Sequence, residues 1–257
     1  MRKSVIALAG VAAALTVVGC DNPLEVKNTN NPDVERAYST PSGVEQVIGT
    51  LYQQIFSADQ GSAASIHPQM LNMAFENYAS VANNGMSLRA SIPRIEIQNG
   101  RGNQTALENL RDFSRLQRAA RTASNTIGAL DTLIARGQTI GTPQRNARAR
   151  AFAFFANGVA LGNVALAYDS AAIANSSLPF PTTEVPELSS AKTVMDAALA
   201  SLDSALAIIT SITPASAATL DAAWINGNAM TADQFARFIR SYRARFRAGV
   251  ARTPAER

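Results

Sequence analysis

The sequence predicts a mainly all-α chain whose consecutive helices pack as antiparallel pairs, broken by long irregular loops. Three observations predict it. Alanine, the strongest helix former, fills 48 of 257 positions. Apolar residues recur at alternating steps of three and four over several long stretches, the period of a helix face. Four stretches open on helix-start signatures: Thr40-Pro41, Thr142-Pro143, Thr105 with Glu108, and Thr231 with Gln234.

Composition then limits the chemistry. One Cys and one His exclude a Cys/His zinc cluster, an iron–sulfur site and a disulfide framework. Only His67 is available as an imidazole base, so binding is expected rather than catalysis, with no metal or cofactor. The chain carries 23 basic and 19 acidic residues, but Arg2 and Lys3 lie in a removable leader. The small excess that remains is weak ground for an anionic partner such as nucleic acid.

Residues 1–19 read as a signal peptide. Met1-Arg2-Lys3 is a positive start, and Val5 to Val18 is an unbroken run of apolar or small residues. As a helix that run spans about 21 Å, short of the roughly 30 Å hydrocarbon core. No later stretch reaches eighteen consecutive apolar residues, so no transmembrane helix is expected. The run ends in Val17-Val18-Gly19-Cys20, which resembles the bacterial lipobox and would make Cys20 the acylated N-terminus. An ordinary signal peptide with an unrelated Cys is the alternative. Residues 20–40 then form a polar, Pro- and Asn-bearing tether.

The helical domain is expected over 41–257. Its first helix carries Val44, Val47, Ile48, Leu51, Tyr52 and Ile55 at helical spacing. From Ser57 to Asn103 the period fades, with Ile92 to Ile97 a candidate edge strand. A long helix follows between Thr105 and Gly137, with a seam of Leu116, Ala120, Ala123, Ile127, Leu130 and Ile134. The helix after Thr142-Pro143 is apolar on two faces, Phe154 and Leu161 on one and Phe152, Phe155 and Val159 on the other, so it should be buried between neighbours. Its Gly158 and Gly162 should permit close helix approach. A Pro-rich connector from Leu178 to Pro186 ends it. Met195, Leu199, Leu202, Leu206 and Ile209 form the next seam, opposite Asp196 and Asp203. After a loop holding Trp224, a final helix carries Phe235, Phe238, Tyr242 and Phe246.

Several segments together resemble the SusD/RagB family of outer-membrane nutrient-uptake lipoproteins. Leu24 to Pro32 (Leu-Glu-Val-Lys-Asn-Thr-Asn-Asn-Pro) is similar to that family's opening after the lipid anchor, with Thr29 where the family usually has Pro. Tyr38-Ser-Thr-Pro41 and the stretch Val44 to Tyr52 match its first helix. Arg145 to Tyr168, with Leu161-Gly-Asn163 near its end, resembles its central helix, and Ala191 to Ile209 and Phe235 to Arg247 resemble the two that follow. The resemblance covers essentially all of the mature chain as a spaced pattern of weak motifs. It implies a tetratricopeptide-like arrangement of the helix pairs. Family members are about twice as long, and Arg252 to Arg257 is a helix-start signature with no helix after it, so a C-terminally shortened domain is expected.

The resemblance also implies a lipid-anchored protein at the outer membrane, facing outside. It would bind oligosaccharides or other nutrients and act as a lid on a SusC-like TonB-dependent transporter. Sugar sites combine flat aromatic faces with planar amides and carboxylates. Candidates are Phe75, Glu76, Asn77, Tyr78, Asn83 and Asn84 in the first irregular region, with Trp224 as a stacking platform. A packing role competes with each of these aromatics, and His67 beside Pro68 reads as a surface turn. Two arginine stripes, one from Arg111 to Arg121 and one from Arg237 to Arg247, read as solvated faces with intramolecular partners. The competing reading is a helical-repeat scaffold lipoprotein of the envelope with no small-molecule ligand.

Overall fold

The computed structural model describes residues 34–257, except 62–64, 79, 82–84, 94–95, 98–101, 103–105, 181–185 and 257. The leader, Cys20, most of the tether, Asn83, Asn84 and Thr105 lie outside the described residues. The chain divides into two compact units, Met1–Arg36 and Ala37–Arg257, and the helical bundle belongs to the second.

The described residues are mainly helical. The α-helices run α1 (Val34–Tyr38), α2 (Pro41–Asp59), α3 (Ile66–Met73), α4 (Met86–Arg89), α5 (Ala106–Ala135), α6 (Pro143–Ala167), α7 (Ala191–Ser211) and α8 (Ala232–Gly249). Two three-residue strands, β1 (Ser170–Ala172) and β2 (Leu188–Ser190), pair antiparallel and bracket the connector between α6 and α7.

Local chemistry fixes the helix ends. The hydroxyl of Thr40 accepts from the Gly43 amide and that of Thr142 from the Arg145 amide, each with Pro in the first turn. Thr231 and Gln234 form a reciprocal capping box at the start of α8. Gly137 closes α5 at a φ of +72°, with its amide bonded to Ile134 and that of Gln138 to Leu133, the Schellman pattern.

Cross-helix contacts set the directions. Asp131 meets Arg150, Ala120 meets Asn157 and Phe113 meets Tyr168, so α5 and α6 run antiparallel. Ser201 meets Asn157 and Thr213 meets Gln144, so α7 also runs against α6. Phe235 packs on Phe152 and Tyr242 on Phe155, and Gly162 lies against Phe246, so α8 runs with α6. Glu45 meets Arg145 and Tyr52 meets Phe155, so α2 does too. Helix α6 is therefore the hub, with every residue from Ala151 to Ala165 buried among four neighbours. Its Phe155 lies within ring-contact distance of Tyr52, Phe152, Phe235, Phe238 and Tyr242.

The glycines do what their spacing predicts. A Cβ on Gly158 would lie 2.7 Å from Leu202 Cγ, and one on Gly162 would strike the Phe246 ring. These two positions let α7 and α8 approach the hub. Both α6 and α7 are long and apolar enough by length and hydropathy to cross a membrane. In α6 that apolarity is consumed by the surrounding helices, as in the core helix of a bundle, while α7 keeps Lys192, Asp196 and Asp203 on its outer side.

Three expectations need correction. The described part of Ile92 to Ile97 is not a strand; Ile92 is 81% exposed before a cis proline, and the strands form instead around the connector after α6. Ile134 is 44% exposed, because the buried seam of α5 ends on Leu133 instead, which is 2% exposed. His67 and Pro68 lie in the first turn of α3, where a proline's missing N–H costs nothing. On α8, Phe235, Ile239 and Phe246 are fully buried, while Phe238 and Tyr242 are half-buried.

Candidate functional site

The first irregular region presents its aromatics to solvent. Phe75 is 60% and Tyr78 91% exposed, beside exposed Glu76 and Asn77. Phe75 holds a φ of +60°, an unusual conformation for an aromatic residue. Met73, Val81 and Ile92 are exposed in the same stretch. Neither Phe75 nor Tyr78 lines the cavities along α2 and α6, and Asn83 and Asn84 lie outside the described residues.

Trp224 is corrected as a stacking platform. It is 6% exposed, in a 3-10 turn (Ala222–Ile225) between α7 and α8. Its ring lies 5.2 Å from Phe152, and the Arg148 guanidinium sits 5.1 Å from its centroid. Arg148 is itself fixed by Asp221 at 3.0 Å and by the Thr219 carbonyl at 2.6 Å. Gly49 of α2 approaches the other edge, where a Cβ would meet Trp224 Cδ1 at 3.2 Å. A large ring between two helices fills space that their backbones cannot.

What remains of Trp224 at the surface opens into a cleft of about 420 Å³ beside α2, lined by Gly49, Tyr52, Gln53, Phe56, Ser57 and Gly61 with Ala223 and Asn226 opposite. Phe56 is 50% exposed there. Tyr52 is braced from behind, stacked on Phe155 at 6.3 Å and hydrogen-bonded to Tyr242. Burial, with Tyr52 alongside, pushes the Tyr242 hydroxyl well above the usual phenol range. Asn226 closes the turn at a φ of +46°, a conformation asparagine tolerates, and Gly227 follows at +94°. The cleft thus joins a half-exposed ring and a tyrosine to the amides of Gln53 and Asn226.

Two other cavities flank the bundle. One of about 490 Å³ lies on the other flank of α2, against α5, and shares Gln53 and Ser57 with the cleft. Another of about 650 Å³ lies between α5, α6 and α7, lined by Ile134, Ala147, Phe154, Ala207 and Ile208; its Arg150 is held by Asp131 at 2.9 Å and lies over Phe154. Among the described residues no group of three His, Cys, Asp or Glu side chains is placed to hold a metal.

Phe56, Gln53 and Asn226 were missed in the sequence. Phe56 carried a signal: it falls off the seam of Val44, Ile48, Leu51 and Ile55, so an aromatic was left on the outer face of α2. Asn226 carried none, because its approach to α2 is tertiary. Compared with protein-family models, curated proteins and solved structures, the chain matches none.

Proposed function

We propose that this protein is a lipid-anchored envelope protein that binds oligosaccharides or other nutrients and delivers them to a SusC-like TonB-dependent transporter of the outer membrane. The observation that carries the proposal is the cleft beside α2. Half-exposed Phe56 offers a flat apolar face to a sugar ring, Tyr52 offers a braced edge, and Gln53 and Asn226 offer the paired donors and acceptors that hydroxyls need. Among the described residues no His, Cys or carboxylate lines the cleft, so its chemistry suits holding a ligand and not cleaving it. The resemblance of Val17 to Cys20 to a lipobox supports the anchor, and of Leu24 to Tyr52 to SusD/RagB proteins supports the role. Met73, Phe75, Tyr78, Val81 and Ile92 give an exposed apolar stretch suited to a protein partner.

That stretch suits equally the alternative, a helical scaffold of the envelope with no small ligand. Calorimetric titration with a panel of neutral and acidic oligosaccharides separates the two, using the full chain carrying Cys20→Ala. Binding weakened roughly two- to twelve-fold by Phe56→Ala is expected of a stacking contact. Absence of binding across the panel favours the scaffold. Failure of the wild-type chain to incorporate labelled palmitate removes the anchor from either reading.

A further inference from the structure

We propose that the groove between α2 and α5 binds the acidic group of the same ligand whose ring lies in the aromatic cleft, so that the protein selects an acidic oligosaccharide. The inference rests on the reading of the cleft as a saccharide site.

Helix α2 buries Val44, Ile48, Leu51, Ile55 and Ala58, which fixes the faces of everything else on it. Gly49, Tyr52 and Phe56 fall on the flank toward Trp224, while Gln54 and Ser57 fall on the flank toward α5. Gln53 lies between and, with Ser57, belongs to both cavities. An α-helix with its side chains is about 10 Å across. A ligand touching both flanks is therefore an oligomer lying over Gln53, and the part reaching α5 meets a different chemistry.

That chemistry is cationic. The groove is lined by Gln53, Gln54, Ser57, Arg115, Arg118 and Thr122, with no carboxylate among them. Other arginines that line cavities or helix seams are committed: Arg145 to Glu45, Arg148 to Asp221, Arg150 to Asp131 and Arg243 to Asp203. Arg118 makes no ion pair or side-chain hydrogen bond among the described residues, and neither does the amide of Gln53. Arg115 donates to the Ser57 carbonyl at 3.4 Å, at the long limit of a hydrogen bond, and its charge acts on Asp112 without a hydrogen bond between them. The nearest acid on α5, Asp112, is 1% exposed and taken up by Arg111 at 3.2 Å. Arg237, Arg240, Arg245 and Arg247 on α8 are exposed too, but none lines the cleft, the groove or the cavity beside Phe154.

A guanidinium fork with a nearby amide matches a carboxylate, which accepts two parallel N–H bonds. Sulfate esters present comparable oxygens. A uronate chain carries its carboxylates on rings whose apolar faces suit Phe56, so one molecule satisfies both flanks.

The test compares an oligogalacturonide with its methyl ester, which has the same rings without the charge, by calorimetry on the full chain carrying Cys20→Ala. The acid should bind about tenfold tighter than the ester at low ionic strength, and the preference should collapse as salt is raised. Arg118→Gln and Arg115→Gln should abolish the preference and leave ester binding unchanged; Phe56→Ala should weaken both. Equal binding of acid and ester overturns the inference and leaves the glycan reading standing. A preference that survives both arginine substitutions also overturns it. Binding of the acid that Phe56→Ala does not weaken separates groove from cleft and overturns the single-ligand proposal. Binding of neither compound overturns it outright.

Discussion

Asn157 and Asn163 are the polar side chains between Ala151 and Ala165, and both are buried in the hub helix. Their circumstances differ. Asn157 donates to the Ala120 carbonyl at 3.0 Å and to that of Ala174 at 2.6 Å, and accepts from the Ser201 hydroxyl at 2.9 Å. One amide thereby ties α5, the segment after β1, and α7 to the hub. Asn163 has a buried Nδ2 with no hydrogen-bond partner among the described residues. The same substitution should then act with opposite sign. Asn157→Leu leaves the Ser201 hydroxyl buried without its acceptor and should cost about 2–3 kcal/mol. Asn163→Leu removes a desolvated donor and should be neutral or stabilising by up to about 1 kcal/mol. Urea denaturation of both variants checks this, and equal losses would show that fit rather than hydrogen bonding governs the hub. Polar interruptions of an apolar helix are visible in the sequence. Which one is satisfied is not, because the partners lie on three other segments.

At the scale of elements, the sequence was most legible where the signal is local. Thr40-Pro41, Thr142-Pro143 and Thr231 with Gln234 start helices, and Gly137 ends one, because capping bonds span only three or four residues. The doubly apolar pattern of α6 foretold its burial for the same reason. Legibility faded where pairing is distant. The strands β1 and β2 are three residues each and separated by the Pro-rich connector, too short for any alternation to declare them. The candidate site divides the same way. Phe56 is recoverable from the period of α2, whereas Trp224, in a loop, gave no sign of being clamped by Phe152 and Arg148. The small residues of α6 give the element-scale prediction. Gly158→Ala places a Cβ 2.8 Å from the Ala198 carbonyl, which belongs to backbone and yields little, and should cost about 1–3 kcal/mol. At Gly162 the three atoms nearest an added Cβ all belong to the Phe246 ring, so Phe246→Leu should restore part of the loss in Gly162→Ala and none of the loss at Gly158. Thermal melts of the single and double variants measure the difference.

Across the whole molecule, three of the five tyrosines report on the integrity of the bundle. Burial raises the hydroxyls of Tyr38, Tyr168 and Tyr242 above the ordinary value of 10.0. For Tyr168 the charge of Asp112 adds to the effect, and for Tyr242 that of Tyr52 does. The three stand at α1, at the end of α6 and on α8, so no single local opening exposes them all. An acid whose folded pKa is raised binds its proton more tightly in the folded state. These hydroxyls therefore contribute stability in full below pH 10.0 and lose it as pH rises toward their folded values. Stability against urea should fall steeply above that pH, and the phenolate absorbance of these three tyrosines should rise together with loss of helical circular dichroism rather than before it. The double variant Tyr168→Phe and Tyr242→Phe keeps the rings and removes the titrating groups, so its alkaline loss should be shallower. If instead these three tyrosines ionise near 10.0 while the helices remain intact, the aromatic packing around α6 opens to hydroxide without unfolding, and the bundle is looser than its buried rings imply.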